Sequence, residues 1–373
     1  MPMKFSVRTS TLSKKWRYKW TLVTKLNFND YHFDYNLNCF STFVDNALEH
    51  CKTSQLQLFR LSLIVLSLQR SKVTSWINEA VRLNIYKLLD FIVPSVVILP
   101  CLKTLEISVP RNGFVKAFKL INGCPMLESL SLVIRLRSEQ EDYDFNIPTL
   151  KRLKLGTIGG ISSNKVILNV PNLEYLCVDG DLCSLFVIKD LSSLAKATVS
   201  LSNDEVRFDH LQAELLKGLT GAKSLSWSST TLDVVLTSPL PKFPNLKHLE
   251  LKGFFNSPLL PVLQQLESSS KLEHLCFQEP EGSCWIEPQL VPTWMFRNLK
   301  TLKITRCKGR SCDLRFIEYM LGNSEVLKTL TIICYSLRLK NEMQLYARLL
   351  TFPRAFRDCQ IHFVGTWLKS SGN

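Results

Sequence analysis

Among the residues equipped for chemistry, His248 and His274 stand out because each holds the third place of one phrase: Leu246-Lys-His-Leu249-Glu-Leu251 and Leu272-Glu-His-Leu275-Cys-Phe277. On adjacent strands in register the two imidazoles would share a face at about 5 Å, close enough to meet one acidic group or one metal ion. No third ligand stands at a metal-site spacing, so the pair reads as polar surface and no metal is expected. Cys307 and Cys312 are the closest-spaced cysteines, and no second pair or His partner accompanies them. The chain contains no P-loop, no HExxH and no GxSxG, and none of its six histidines sits in a recognised nucleophile pattern. Neither an enzyme nor a cofactor is expected. These residue types point to binding.

The elements that must position the histidines are visible in the same phrase, LxxLxL. It returns at Leu102, Leu127, Leu150 and Leu173, then at Leu246, Leu272, Leu299 and Leu327, with weaker copies at Leu194 and Ala222. Successive starts are 21 to 28 residues apart, within the range of leucine-rich repeats. Pro100, Pro125, Pro148, Pro171 and Pro244 punctuate the copies, each ending the preceding segment. Before Leu102 the pattern is less regular: Leu58-Phe-Arg-Leu61-Ser-Leu63 matches, and a degraded copy starts near Ile85. The spacing predicts an α/β fold, a curved leucine-rich-repeat solenoid. Short strands form a parallel sheet, helices or coil return on the outer side, and a short helical segment precedes them. Leu105, Leu130, Leu153, Leu176, Leu249, Leu275, Leu302 and Leu330 are the expected buried column.

Strand alternation then turns the third and fifth positions outward, to the concave side of such a solenoid. The third-position column runs Thr104, Ser129, Arg152, Tyr175, Lys196, Ser224, His248, His274, Thr301, Thr329. The fifth runs Glu106, Ser131, Lys154, Cys177, Thr198, Ser226, Glu250, Cys276, Lys303, Thr331. Arg152, Lys154, Tyr175, His248, Glu250 and His274 are the candidate ligand residues, since Tyr and Arg are favoured anchors and the mixed charge suits a protein ligand.

The 373 residues, 46% hydrophobic and 21% charged, suit a chain with a large core. Twelve scattered cysteines without a CxxC are expected as buried, reduced thiols. The apolar stretches from Leu61 to Leu68 and from Leu88 to Leu102 are too short or too interrupted to cross a bilayer, so no membrane association is expected. The location expected is intracellular, in nucleus or cytoplasm. The net charge of +14 is concentrated at the ends: residues 1–25 hold seven Lys/Arg and no acid, and residues 297–357 hold thirteen against four acids.

Three stretches carry a family resemblance. Val7-Arg-Thr-Ser10-Thr-Leu12-Ser-Lys-Lys15-Trp16-Arg17-Tyr-Lys-Trp20 resembles the last helices of the plant F-box. Trp285-Ile-Glu-Pro288 through Val291-Pro292, Leu299-Lys300 and Gly309, with Ile317 to Asn323 and Val326-Leu327-Lys328, is similar to the FBD domain. The closing Phe352-Pro353-Arg354-Ala355 and Cys359-Gln360-Ile361 resemble it too. The resemblance to plant F-box/LRR/FBD proteins implies a partial F-box over 1–24, repeats over 25–284, and FBD-like repeats with a cap over 285–365. It implies a substrate-recognition subunit of an SCF-type ubiquitin ligase, whose Skp-type adaptor would meet Val7, Leu12, Trp16 and Trp20 and whose repeats would select an unknown protein substrate. The family's opening Leu-Pro-Asp helix has no counterpart after Met1, so the F-box reads as truncated and adaptor binding is expected to be weak.

Three alternatives stay open at this level. A truncated remnant would serve as a non-catalytic binding scaffold, with Trp16 and Trp20 folding back on the first repeats. A basic nucleic-acid module is disfavoured, because the basic ends show no aromatic interleaving beyond Trp16, Tyr18 and Trp20. The acid-free residues 1–25 also fit an organelle transit peptide. The segment around Phe352, Phe356 and Ile361 is expected to cover the last repeat.

Overall fold

The computed structural model describes residues 2–33, 36–53, 56–62, 70–85, 87–89, 99–109, 114–135, 142–158, 165–182, 184–202, 209–231, 241–254, 266, 269–278, 291, 293–335 and 337–367. The phrase Trp285 to Pro288, together with Pro292 and Leu63, lies outside the described residues. Two compact units divide the chain: Met1–Ser138 with Asn146–Ile161, and Glu139–Phe145 with Ser162–Asn373.

In the first unit, α1 (Met3–Arg8) leads to β1 (Lys25–Asn29), α2 (Leu37–Glu49), β2 (Leu58–Ser62), α3 (Arg70–Arg82), β3 (Lys87–Leu89), β4 (Thr104–Val109), α4 (Phe114–Asn122) and β5 (Ser129–Arg135). β7 (Arg152–Ile158) ends this unit, and β6 (Tyr143–Asn146), which precedes it in the chain, belongs to the second except for Asn146. Strands β1, β2, β3, β4, β5 and β7 pair in that order, all parallel, so α2, α3 and α4 are crossovers between parallel neighbours.

The second unit continues with β8 (Lys165–Asn169), β9 (Tyr175–Gly180), β10 (Leu185–Asp190), β11 (Lys196–Leu201), α5 (Asp209–Gly218), β12 (Ser224–Thr231), β13 (His248–Phe254), β14 (His274–Gln278), α6 (Thr293–Arg297), β15 (Thr301–Thr305), α7 (Ser311–Asn323), β16 (Thr329–Ile333), α8 (Leu339–Thr351) and β17 (Gln360–Val364). A parallel ladder runs β9, β11, β12, β13, β14, β15, β16, β17. The outer returns here are not only helix or coil: β10, β8 and β6 form a separate three-stranded sheet in that order, with β8 and β10 parallel and alternate residues of β8 buried.

Each repeat is built the same way. The amide of the first leucine donates to the carbonyl three residues earlier, as in Leu102 to Leu99, Leu127 to Cys124, Leu150 to Ile147, Leu173 to Val170 and Leu246 to Phe243. The prolines occupy the second place of these turns, where their fixed φ pre-sets the chain, and the residue before each is buried. This is a sharper role than ending a segment. The carbonyl of the second-position residue then accepts two amides from the next repeat, as Lys247 does from Glu273 and His274. Side chains at this second position form charge ladders: Glu128 lies 3.0 Å from Lys103 and 3.2 Å from Lys151, and Glu273 lies 2.7 Å from Lys300 and 3.5 Å from Lys247.

Fourth- and sixth-position side chains point inward and stack in register. In the first unit Leu26, Phe59, Leu105, Leu130 and Leu153 are buried in one column; in the second the column is Leu176, Ala197, Leu225, Leu249, Leu275, Leu302 and Leu330. Burying each leucine stabilises the fold by about 1.5–3 kcal/mol, and no single repeat has a second face on which to do it. Two phrases differ from the sequence reading. The fourth place of β2 is Phe59, paired with Leu26 and Leu88, so this copy starts at Leu56 and not at Leu58. A two-residue slip leaves the same side chains inward, which is why alternation alone does not fix the frame. A further copy, Val23-Thr-Lys-Leu26-Asn-Phe28, forms β1.

The N-terminal segment folds back only in part. Met3 is buried, Lys4 donates to the His32 carbonyl and lies 4.5 Å from the Phe33 ring, and Trp20 rests 6.3 Å from the His50 ring. Leu12 and Trp16, by contrast, are exposed. The first repeats are instead filled by an aromatic cluster of Phe28, Phe33, Phe40, Phe59 and Trp76, whose indole donates to Asp45 at 2.6 Å. At the other end Phe352, Phe356 and Ile361 are only half-buried. Closure there depends on Leu345, Leu349 and Phe363, and on the buried carboxylate of Glu342, which accepts the amides of Thr366 and Trp367 at 2.7 and 3.0 Å. Among the described cysteines none is in a disulfide; five are buried, but Cys39 and Cys101 are exposed. No described helix is long and apolar enough to cross a membrane.

Candidate ligand-binding face

The outward face of β11 to β15 is built from third, fifth and seventh positions, which the pleat turns away from the core. His248 and His274 are register partners, and their rings stack with centroids 4.2 Å apart and planes 14° from parallel. His274 Nδ1 hydrogen-bonds the Thr301 hydroxyl at 2.7 Å, which fixes the ring on the next strand. Burial, followed by the neighbouring His248, holds the His274 pKa below the usual histidine value, although Glu273 opposes this. The imidazole is therefore preferentially neutral.

Beside the pair, the Glu250 carboxylate accepts from Ser226 Oγ at 2.7 Å and lies 2.9 Å from Lys252 Nζ. Burial raises its pKa, but the bonds from Lys252 and Ser226 outweigh that and keep it below the usual carboxylate range. Cys276 lies across Glu250, its Sγ 3.8 Å from Oε1. Burial, with Glu250 adding to it, pushes this thiol up to about 11. A protonated thiol facing a carboxylate is a poor nucleophile, so the cluster is suited to holding a ligand and not to attacking one.

These residues line a groove of about 420 Å³ together with Lys196, Thr198, Ser224, Thr301 and Lys303. Tyr175 adjoins it through Lys196, whose ammonium lies 5.9 Å from the Tyr175 ring. Burial raises the pKa of this phenol, against a hydrogen bond with Thr198 that lowers it. Of the six residues expected on this face, Tyr175, His248, Glu250 and His274 thus lie on the second unit's ladder. Arg152 and Lys154 stand exposed on β7 of the first. Lys252 was missed: it is at a seventh position, one step beyond the LxxLxL phrase, and continuing the alternation would have found it.

The N-terminal candidates fall into two kinds. Leu12 and Trp16 are exposed, at 70% and 43%, as are Tyr18 and Leu22, whereas Val7 and Trp20 are half-buried. Among the described residues no group of three or more His, Cys, Asp or Glu is placed to hold a metal ion.

Comparison with known proteins adds one family match and three relatives. The FBD family matches residues 287–332. The chain is 27% identical to an F-box/FBD/LRR-repeat protein of Arabidopsis thaliana, over 97% of this chain and 92% of that protein. It is likewise 27% identical to an FBD-associated F-box protein of the same plant, over 97% and 92%, and 26% identical to a further F-box/FBD/LRR-repeat protein, over 97% and 96%.

Proposed function

As a member of the plant F-box/FBD/LRR-repeat family, this chain is, we propose, the substrate-recognition subunit of an SCF-type ubiquitin ligase. It binds a client protein on the outward face of its repeats and leaves ubiquitin transfer to its partners. The observation that carries this reading is the hydroxyl-, lysine- and histidine-lined groove on β11 to β15, a ligand-sized concavity without a competent nucleophile. Tyr175, His248, Glu250 and His274 supply the client surface on the second unit, and Arg152 and Lys154 present a candidate surface of their own on the first. The Skp-type adaptor docks only weakly, on the N-terminal segment. There Leu12 and Trp16 present exposed apolar surface, while Val7 is half-buried and Trp20 rests on the His50 ring.

Affinity purification of the tagged chain from plant cells under proteasome inhibition tests both halves. Leu12→Ala with Trp16→Ala is expected to release the adaptor and keep the client; Tyr175→Ala with His248→Ala is expected to do the reverse. A chain that captures clients through the repeat face and never an adaptor would instead be a non-catalytic scaffold. Loss of both partners with either variant set, in folded protein, would contradict the division of labour.

A further inference from the structure

The groove on β11 to β15 holds more positive charge than its internal pairing uses. Lys196, Lys252 and Lys303 line it against one carboxylate, Glu250. Glu250 is already bonded by Lys252 and Ser226. Among the described residues Lys303 makes no ion pair, although its charge acts on Glu250 from a distance, and Lys196 meets the Tyr175 ring. Between these two lysines the floor is small and hydroxylated, with Thr198, Ser224 and Ser226, and the stacked imidazoles of His248 and His274 form a flat wall.

The dimensions define the shape of what fits. Lys196 opens β11 and Lys303 sits on β15, four strand steps away, a separation of about 19 Å. An extended chain covers that distance with about six residues. Small hydroxyls on β11 and β12 leave room for a backbone at that end of the groove. A nucleic-acid backbone is a poorer match, because the imidazoles of His248 and His274 that could stack on bases are already stacked on one another.

Resting on the assignment of this face as the client surface, we propose that the groove binds an extended acidic segment of the partner protein, laid across the strands, with its oxyanions paired to Lys196 and Lys303. Lys252, held by Glu250, is the middle contact and keeps that carboxylate from repelling the ligand. Carboxylate and phosphate share the required chemistry.

Fluorescence anisotropy on the full chain separates the outcomes, with labelled hexaglutamate, hexaglutamine, a phosphoserine hexapeptide and a single-stranded DNA 12-mer as probes. Hexaglutamate is expected to bind at least tenfold more tightly than hexaglutamine and to weaken with salt, as partly exposed ion pairs do. Lys196→Glu with Lys303→Glu should bring it to the hexaglutamine level, and the milder Lys196→Gln with Lys303→Gln should reproduce the loss if the reversal disturbs folding. The tighter of the glutamate and phosphoserine peptides identifies the oxyanion. Equal binding of hexaglutamine, unchanged affinity in the folded glutamine variant, or tighter binding of the DNA would overturn the inference. If the acidic peptides fail while client capture still depends on Tyr175 and His248, only the ligand class falls. If client capture is also indifferent to them, the assignment of the face falls as well.

Discussion

Leu302 and Lys303 are neighbours on β15 with opposite surroundings: Leu302 is 1% exposed and stacked in register between Leu275 and Leu330, while Lys303 faces outward. Replacing Leu302 with Ala removes three carbons, about 0.8 kcal/mol each in transfer free energy, or about 2.4 kcal/mol. A cavity contribution of about 24 cal/mol per Å³ adds to this. The neighbouring strands are held at their spacing by their own backbone ladders, so the space closes only in part. A total loss of about 3–4 kcal/mol is expected. Lys303→Ala, one residue away, should stay within about 0.5 kcal/mol. Urea unfolding of both variants, followed by far-UV circular dichroism and intrinsic fluorescence, measures the contrast. Equal costs for the two, or a loss below about 1 kcal/mol for Leu302→Ala, would refute the inward placement of the fourth position.

Other perturbations reach other parts of the molecule. Gly218 closes α5 against Ile188, and a Cβ there would come within 2.1 Å of Ile188 Cδ1; Gly218→Ala should cost about 1–3 kcal/mol. Melting temperatures should show that loss partly restored by Ile188→Ala. His274 should titrate below about 6.5 in an NMR pH series. The fold favours its neutral form, so its contribution to stability is present above the unfolded midpoint and lost as pH falls through the lower folded value. A midpoint above 6.5 would contradict the burial of this ring beside His248. Alkylation with iodoacetamide followed by mass spectrometry should label exposed Cys39 and Cys101 first. Cys124 and Cys276, with pKa values pushed up to about 12 and about 11, should be labelled slowly.

The repeat was legible because it is written in leucines at a fixed spacing, and ladder pairing converts that spacing directly into neighbours. His248 and His274 could be placed together before any coordinates, since equal positions in successive copies must be register partners. What escaped the reading lies where the period weakens. Phe59 took a place assigned to Leu61, because a slip of two leaves burial unchanged. Val23 to Phe28 went unseen because only one of its three apolar positions is leucine. The strands β8 and β10 lie in the returns, which the repeat phrase does not describe. Lys252 belongs to the groove through the length of β13, and strand length is the feature that a six-residue phrase conveys least.

Photo-crosslinking from single positions tests most directly whether the outward repeat face holds the client. Benzoylphenylalanine placed at Thr198 or Ser226 points into the groove; at Lys165 or Glu214 it lies on the return side, on β8 and α5. Irradiation in plant cells under proteasome inhibition, with mass spectrometry of the adducts, should yield the same client from Thr198 and Ser226 and none from Lys165 or Glu214. Capture of that client from the return side, with silence from the groove, would contradict the assignment.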